Sequence, residues 1–188
     1  MRFAAWIWAG AILMTLAARA GEARVDLVTN PITELVVAVP KDGPLKVRTM
    51  GMDGAHFAGR VRLTGEYVYG REASYVSDSG WRPRPGLYFV PDAASRALLP
   101  YSQEDGPAVS IRFSNRELFL KKVLSRSAIA KIAARKLGSV RGRVTIWIDR
   151  YAVAVSCGTP VYVARFLRIE APRQLIASRE SVDAGGCG

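Results

Sequence analysis

Residues Phe57 to Tyr69 read FAGRVRLTGEYVY, and the period of this stretch decides the fold. Phe57, Val61, Leu63, Tyr67 and Tyr69 fall on odd positions, while Arg60, Arg62, Thr64 and Glu66 fall on even ones. Successive side chains of a strand point to opposite faces, so the alternation predicts a long, half-buried β-strand. Gly59 and Gly65 interrupt its apolar face. A glycine inside a long strand marks a sharp bend or a bulge, as required where one strand curls around a barrel.

Working outward, Thr33 to Val39 (TELVVAV) predicts an earlier strand, ended by the turn Pro40-Lys41-Asp42-Gly43-Pro44. Leu45 to Thr49 is its expected return strand, and Gly51 to Gly54 a loop. Gly70 to Gly86 (GREASYVSDSGWRPRPG) reads as a long connection. Leu87 to Val90 is a short strand stopped by Pro91-Asp92. Ala93 to Pro100 is a helical turn or loop, and Ser102 to Pro107 another turn. Val109, Ile111 and Phe113 alternate with Ser110, Arg112 and Ser114 in a third barrel strand.

Ser114-Asn115-Arg116-Glu117 fits a capping box, from which a helical stretch should run towards Gly138. Its apolar phase slips near Ser125-Arg126-Ser127, which fits either a bent helix or a strand extension followed by a helix. Val140, Val144, Ile146 and Ile148 make a fourth strand, Tyr151 to Pro160 a loop, and Val161 to Glu170 a fifth strand closed by Pro172.

This order, with a helix between the third and fourth strands, resembles the five-stranded Greek-key barrel of OB-fold proteins, specifically small exported bacterial ones. The fold class expected is therefore mainly β: an OB-like barrel over 56–171 with one helix or bent helix, an N-terminal β extension over 24–55 and a C-terminal tail over 172–188. Other small β-barrels share much of this pattern. The resemblance implies a ligand face on strands two and three, edged by the loops Gly70–Gly86 and Tyr151–Pro160. It does not say what binds there.

Arg2 is followed by an apolar run from Phe3 to Leu16 and then by small residues. That is the pattern of a secretory signal peptide, cleaved after Ala23 or, alternatively, after Ala20. The expected location is periplasmic or secreted. In an oxidising compartment an even cysteine pair predicts a disulfide, here Cys157 with Cys187. Closing that loop would contribute roughly 3–4 kcal/mol and tie back the Gly-rich tail. The rival reading leaves two thiols, with Cys157 reactive.

The 188 residues carry a formal charge of +11. Residues 106–150 hold eleven basic side chains against two acidic ones, so they supply most of the excess. Arg116, Lys121, Lys122, Arg126, Lys131, Arg135, Lys136, Arg141 and Arg143 form the expected basic surface, which attracts anionic polymers or lipid head groups. A solvated amphipathic helix in an arginine-rich chain accounts for the same residues. The connection 70–86 interleaves Arg71, Tyr75, Trp81, Arg82 and Arg84, offering stacking planes together with anion contacts. Arg112 and Trp147 stand on the polar sides of their strands behind it. Simple tethering of the loop and covering of the strands are the structural alternatives.

Enzyme readings find little support. His56 is the only imidazole and has no nucleophile motif beside it. One His and two Cys disfavour most protein-only transition-metal sites, and no Gly-rich phosphate cradle is present, so neither metal nor cofactor is expected. The sequence leads to a non-catalytic envelope binding module for an anionic polymer, an anionic lipid surface or an acidic envelope protein, with nucleic acid disfavoured by the compartment. An assembly protein that binds another envelope protein, and a Cys157-dependent enzyme, are the alternatives.

Overall fold

The computed structural model describes residues 24–76, 80–134 and 138–178, with side chains for 24–70, 86–134 and 138–170. The segment 1–23, with the expected signal peptide and its cleavage site, lies outside the described residues, as does Cys187.

The alternating stretch is the middle of β4 (Gly54–Val76). Phe57, Val61, Leu63, Tyr67 and Tyr69 are all buried, and Arg60, Arg62 and Glu66 are exposed. Before it come β1 (Val25–Thr29), β2 (Val36–Pro40) and β3 (Lys46–Gly51). After it follow β5 (Gly80–Pro91), the short helix α1 (Ala93–Arg96), β6 (Tyr101–Ser102) and β7 (Ile111–Phe113). Helices α2 (Arg116–Val123) and α3 (Arg126–Ala133) lead to β8 (Ser139–Ser156) and β9 (Thr159–Ser178).

The chain is mainly β, in two sheets. The larger has the order β3-β4-β5-β7-β9-β8, and β8 also pairs with β4, so five of its six strands return on themselves. β7 and β9 run parallel, while the other pairs are antiparallel. The smaller sheet has the order β1-β2-β6.

Because β8 follows one edge of β4 almost throughout, β3 and then β5 share the other edge. Between them the Thr64 amide donates to Ser95 Oγ at 2.8 Å, and the Thr64 carbonyl accepts from the Asp92 amide at 2.9 Å. α1 and its N-cap Asp92 thus satisfy strand groups that neither neighbour reaches, which burial would otherwise penalise. Gly65 sits at this junction, where a Cβ would lie 2.3 Å from the Val90 carbonyl oxygen.

α2 buries Phe119 inside the ring. Its ring lies 4.8 Å from Phe113 of β7, 5.1 Å from Phe166 of β9 and 5.5 Å from Tyr67 of β4. Edge-to-face and offset contacts of this kind add to the hydrophobic term. Tyr151 and Tyr162 join the sheets: the Tyr151 hydroxyl donates to the Pro100 carbonyl at 2.7 Å, and the Tyr162 hydroxyl donates to Asp105 at 3.0 Å. Burial pushes the pKa of both phenols upward.

Several expectations change. Residues 70–76 and 80–86 are not loop: Gly70↔Gly86 through Val76↔Gly80 continue the β4–β5 ladder. Tyr151 to Pro160 is not a loop either, since β8 and β9 pair down to Ser156↔Thr159 around Cys157 and Gly158. Positive φ at those two residues (53° and 75°) makes the tight turn. Pro172 does not close β9. The partners Thr145↔Ala171 and Arg143↔Gln174 show an extra residue on β9 here, and a bulge absorbs the missing proline N–H. The tail expected from residue 172 therefore begins as strand.

Leu45–Thr49 does not return on the preceding strand. β3 pairs with β4, while β2 lies between β1 and β6. The proposed capping box does not form. Asn115 is the N-cap of α2, and its side chain instead donates to the Phe166 carbonyl (2.8 Å) and accepts from the Phe166 amide (2.9 Å). The single helix towards Gly138 is two helices, broken where the apolar phase slips. Ser125 caps α3 by accepting from the Ala128 amide at 3.2 Å, and α3 ends at Ala133.

Candidate functional site

Two regions of this barrel gather cationic side chains. The first surrounds the root of the β4–β5 hairpin. Ser139 pairs with Gly70, Arg141 with Val68 and Arg143 with Glu66, so the start of β8 lies against the point where the hairpin leaves the ring. Burial raises the pKa of the Tyr69 phenol, and the nearby charge of Arg116, at the start of α2, opposes that shift, which sets Arg116 at the same end. Arg116, Arg141 and Arg143 are exposed, and Arg143 reaches Asp92 at 3.3 Å.

The hairpin register places Tyr75 opposite Trp81, Ser74 opposite Arg82, Glu72 opposite Arg84 and Arg71 opposite Pro85. The side chains of Arg71, Tyr75, Trp81, Arg82 and Arg84 lie outside the described ones. Lys121, Lys122, Arg126 and Lys131 are exposed on α2 and α3, whereas Arg135 and Lys136 lie outside the described residues.

Arg112 and Trp147, expected beside this hairpin, occupy different places on the outer wall. Arg112 on β7 donates to the Tyr88 hydroxyl of β5 at 3.3 Å, and its guanidinium carbon stands 5.2 Å from the Tyr88 ring centre. Trp147 on β8 stands between Arg62 of β4 and Arg168 of β9 in the ladder. The Arg168 guanidinium lies 5.3 Å from the Trp147 ring centre. Arg62 and Arg168 flank Glu170, to which Arg62 donates. These contacts hold the Glu170 carboxyl below its usual range, the Arg62 hydrogen bond first. On β9 the partners of Arg112 and Trp147 are Val163 and Arg168. Five residues of strand span roughly 16 Å, so these are two separate arginine–aromatic pairs.

The second region was not singled out as a site from sequence. Arg48, His56, Gly59, Arg60, Asp149 and Arg150 are among the residues lining a cleft of about 580 Å³. It lies where both neighbouring strands slip register, between Phe57 and Arg60 on β4 and between Asp149 and Ala152 on β8. Phe57 and Tyr151, with rings 6.0 Å apart, also line it. His56 Nε2 is 2.9 Å from Asp53. The legible signal was Gly59 beside the only histidine, with arginines on the even positions of the strand.

Arg165 grips Asp149 through two hydrogen bonds, Nε to Oδ1 at 2.7 Å and Nη2 to Oδ2 at 2.6 Å. These bonds hold the Asp149 carboxyl below its ordinary value, against opposing desolvation, with Arg150 and Arg60 assisting from further away. A carboxyl whose folded pKa is depressed contributes stability at higher pH. That contribution is lost as the pH falls from about 4, the unfolded value, through the lower folded value. Asp149→Asn should therefore be less stable than the parent at neutral pH, with the gap narrowing below about pH 4. Urea unfolding of both proteins across that range checks it; a constant gap would contradict the linkage.

Comparison with known protein families, with curated proteins and with solved structures finds no match for this chain.

Proposed function

We propose that the chain is an exported, non-catalytic binding module of the cell envelope on an OB-like Greek-key barrel. Its ligand is an anionic or glycan-like polymer or surface, met at the hairpin end of the barrel. The ring order β4-β5-β7-β9-β8, the parallel β7–β9 pair and helices between the third and fourth ring strands support the OB reading. One observation carries the ligand reading: the β4–β5 hairpin, with Arg71, Arg82 and Arg84 in its sequence, rises beside Arg116, Arg141 and Arg143. Arginines clustered at one end of the barrel raise the local concentration of an anion, and the register sets Arg82 and Arg84 on one face of the ribbon and Arg71 on the other. On this reading the Arg112–Tyr88 pair lies on the OB ligand face. Export rests on the N-terminal sequence pattern.

Retention of the mature chain on a phosphorylated or sulfated matrix tests the proposal. Retention should fall steeply with added salt, and affinity should drop about tenfold or more when Arg82 and Arg84 become Ala. Retention that stays flat across salt overturns it.

A second reading, assembly with another envelope protein, is favoured by strand edges. Among the described strands β1 pairs only with β2, and β3 only with β4, leaving one edge of each for an added strand. A stoichiometric co-purifying polypeptide after mild crosslinking would support it. The Cys157–Cys187 disulfide belongs to the leading proposal, and thiol titration of non-reduced protein decides between it and Cys157-dependent chemistry.

A further inference from the structure

The cleft at the paired bulges stands apart from the hairpin end. Gly59 and Gly70 are eleven residues apart on β4, roughly 35 Å of strand. Three arginines, Arg48, Arg60 and Arg150, line the cleft, and none of them forms an ion pair among the described residues. The carboxylate that also lines it, Asp149, is already engaged by both arms of the Arg165 fork. The cleft therefore presents uncompensated positive charge within a concave wall.

Its backbone is unusual at the same point. Arg150 has φ +49°, a left-handed conformation that disfavours a long side chain, and it occurs inside the β8 register shift. Such strain persists where the surroundings impose it, and it gathers at ligand sites. Opposite, the Gly59 bulge brings β4 against the Pro44 carbonyl, at the start of the segment that carries Arg48. Both distortions fall in arginine-bearing segments that line the cleft.

We propose that this cleft is a binding site for a phosphate group, held by Arg48, Arg60 and Arg150. A carboxylate is satisfied by one guanidinium fork, as Asp149 is by Arg165. Three further forks suit an anion with more oxygens to share. The site is independent of the hairpin reading.

His56 is the only histidine and lines the cleft, so its imidazole is a single NMR reporter. Inorganic phosphate titrated into the full chain, with ionic strength held constant by chloride, should give a saturable His56 shift that acetate does not reproduce. Arg150→Asn, whose new residue tolerates left-handed backbone, should weaken phosphate at least tenfold while the protein remains folded. Adding Arg60→Gln should abolish the shift. Arg82→Ala with Arg84→Ala should leave it in place, so failure of the hairpin proposal and failure of this one are separable. Phosphatidylglycerol vesicles that compete with phosphate would identify a lipid head group as the source, and no competition a soluble phosphate compound. A shift that acetate reproduces, that does not saturate, or that survives both arginine substitutions overturns the proposal.

Discussion

Phe119→Ala is expected to lower the unfolding free energy by about 3–5 kcal/mol, the range for emptying a buried aromatic position. Phe119 is fully buried, and its ring meets Tyr67, Phe113 and Phe166, one from each of three barrel strands. No single neighbour can collapse into the space without pulling a strand out of its ladder, so the cavity term should be large. Against a typical stability of roughly 5–15 kcal/mol this is a sizeable share. The internal control is Leu118→Ala on the same helix. Leu118 is 42% exposed, and its loss should cost well under about 1 kcal/mol. Urea unfolding of the two variants checks the contrast; near-equal losses would mean that α2 does not close the barrel through Phe119.

That helix shows why some of the fold was legible and some was not. The β4 alternation, the break at Ser125 and the bulge at Gly59 are local signals: period, phase and a residue without a Cβ. Each depends on a few adjacent residues, so sequence alone carries it. The ladder of 71–76 with 80–85 was hidden because Pro83 and Pro85 read as breakers. A proline needs only to avoid donating into the ladder, and a two-stranded ribbon has outer edges that permit this. β6 depends on which distant strand offers a partner, which no local pattern encodes; the β3–β4 pairing is a local hairpin through Met52-Asp53, inside a segment read as a loop.

The same division applies to the sites. The charge excess of 106–150 was visible by counting, but its position beside the hairpin root follows from the Ser139↔Gly70 register. Arg48, Arg60 and Arg150 are far apart in sequence. They share a cleft only because the β4 bulge in the β4–β8 ladder and the β8 bulge in the β8–β9 ladder fall at the same level. Asn115 carries a related lesson: a residue suited to capping was taken up by the backbone of Phe166, since a buried strand group left without a partner costs more than a frayed helix end.

Gly59→Ala should cost about 3 kcal/mol or more, from two causes. The residue has φ +127°, a region that L side chains rarely adopt, and a Cβ there would lie 2.2 Å from the Pro44 carbonyl oxygen. Backbone cannot step aside as a side-chain tip can, so either β4 or the segment entering β3 must move. Gly106→Ala is the clash-free comparison, because Gly106 also has positive φ (62°, in the left-handed α region) but nothing lies within 4 Å of a Cβ there. That substitution should cost only about 1 kcal/mol. The excess at Gly59 measures the close approach together with the further strain of φ +127°, which lies outside the left-handed α region. Because Gly59 lines the cleft together with Arg60 and β3 carries Arg48, a shift of β4 would move the wall bearing Arg60, and a shift of the segment entering β3 the wall bearing Arg48. If Gly59→Ala proves no more costly than Gly106→Ala, β4 does not press against Pro44. A full excess would mean that one glycine both permits the closed ladder and sets the geometry of the cationic cleft.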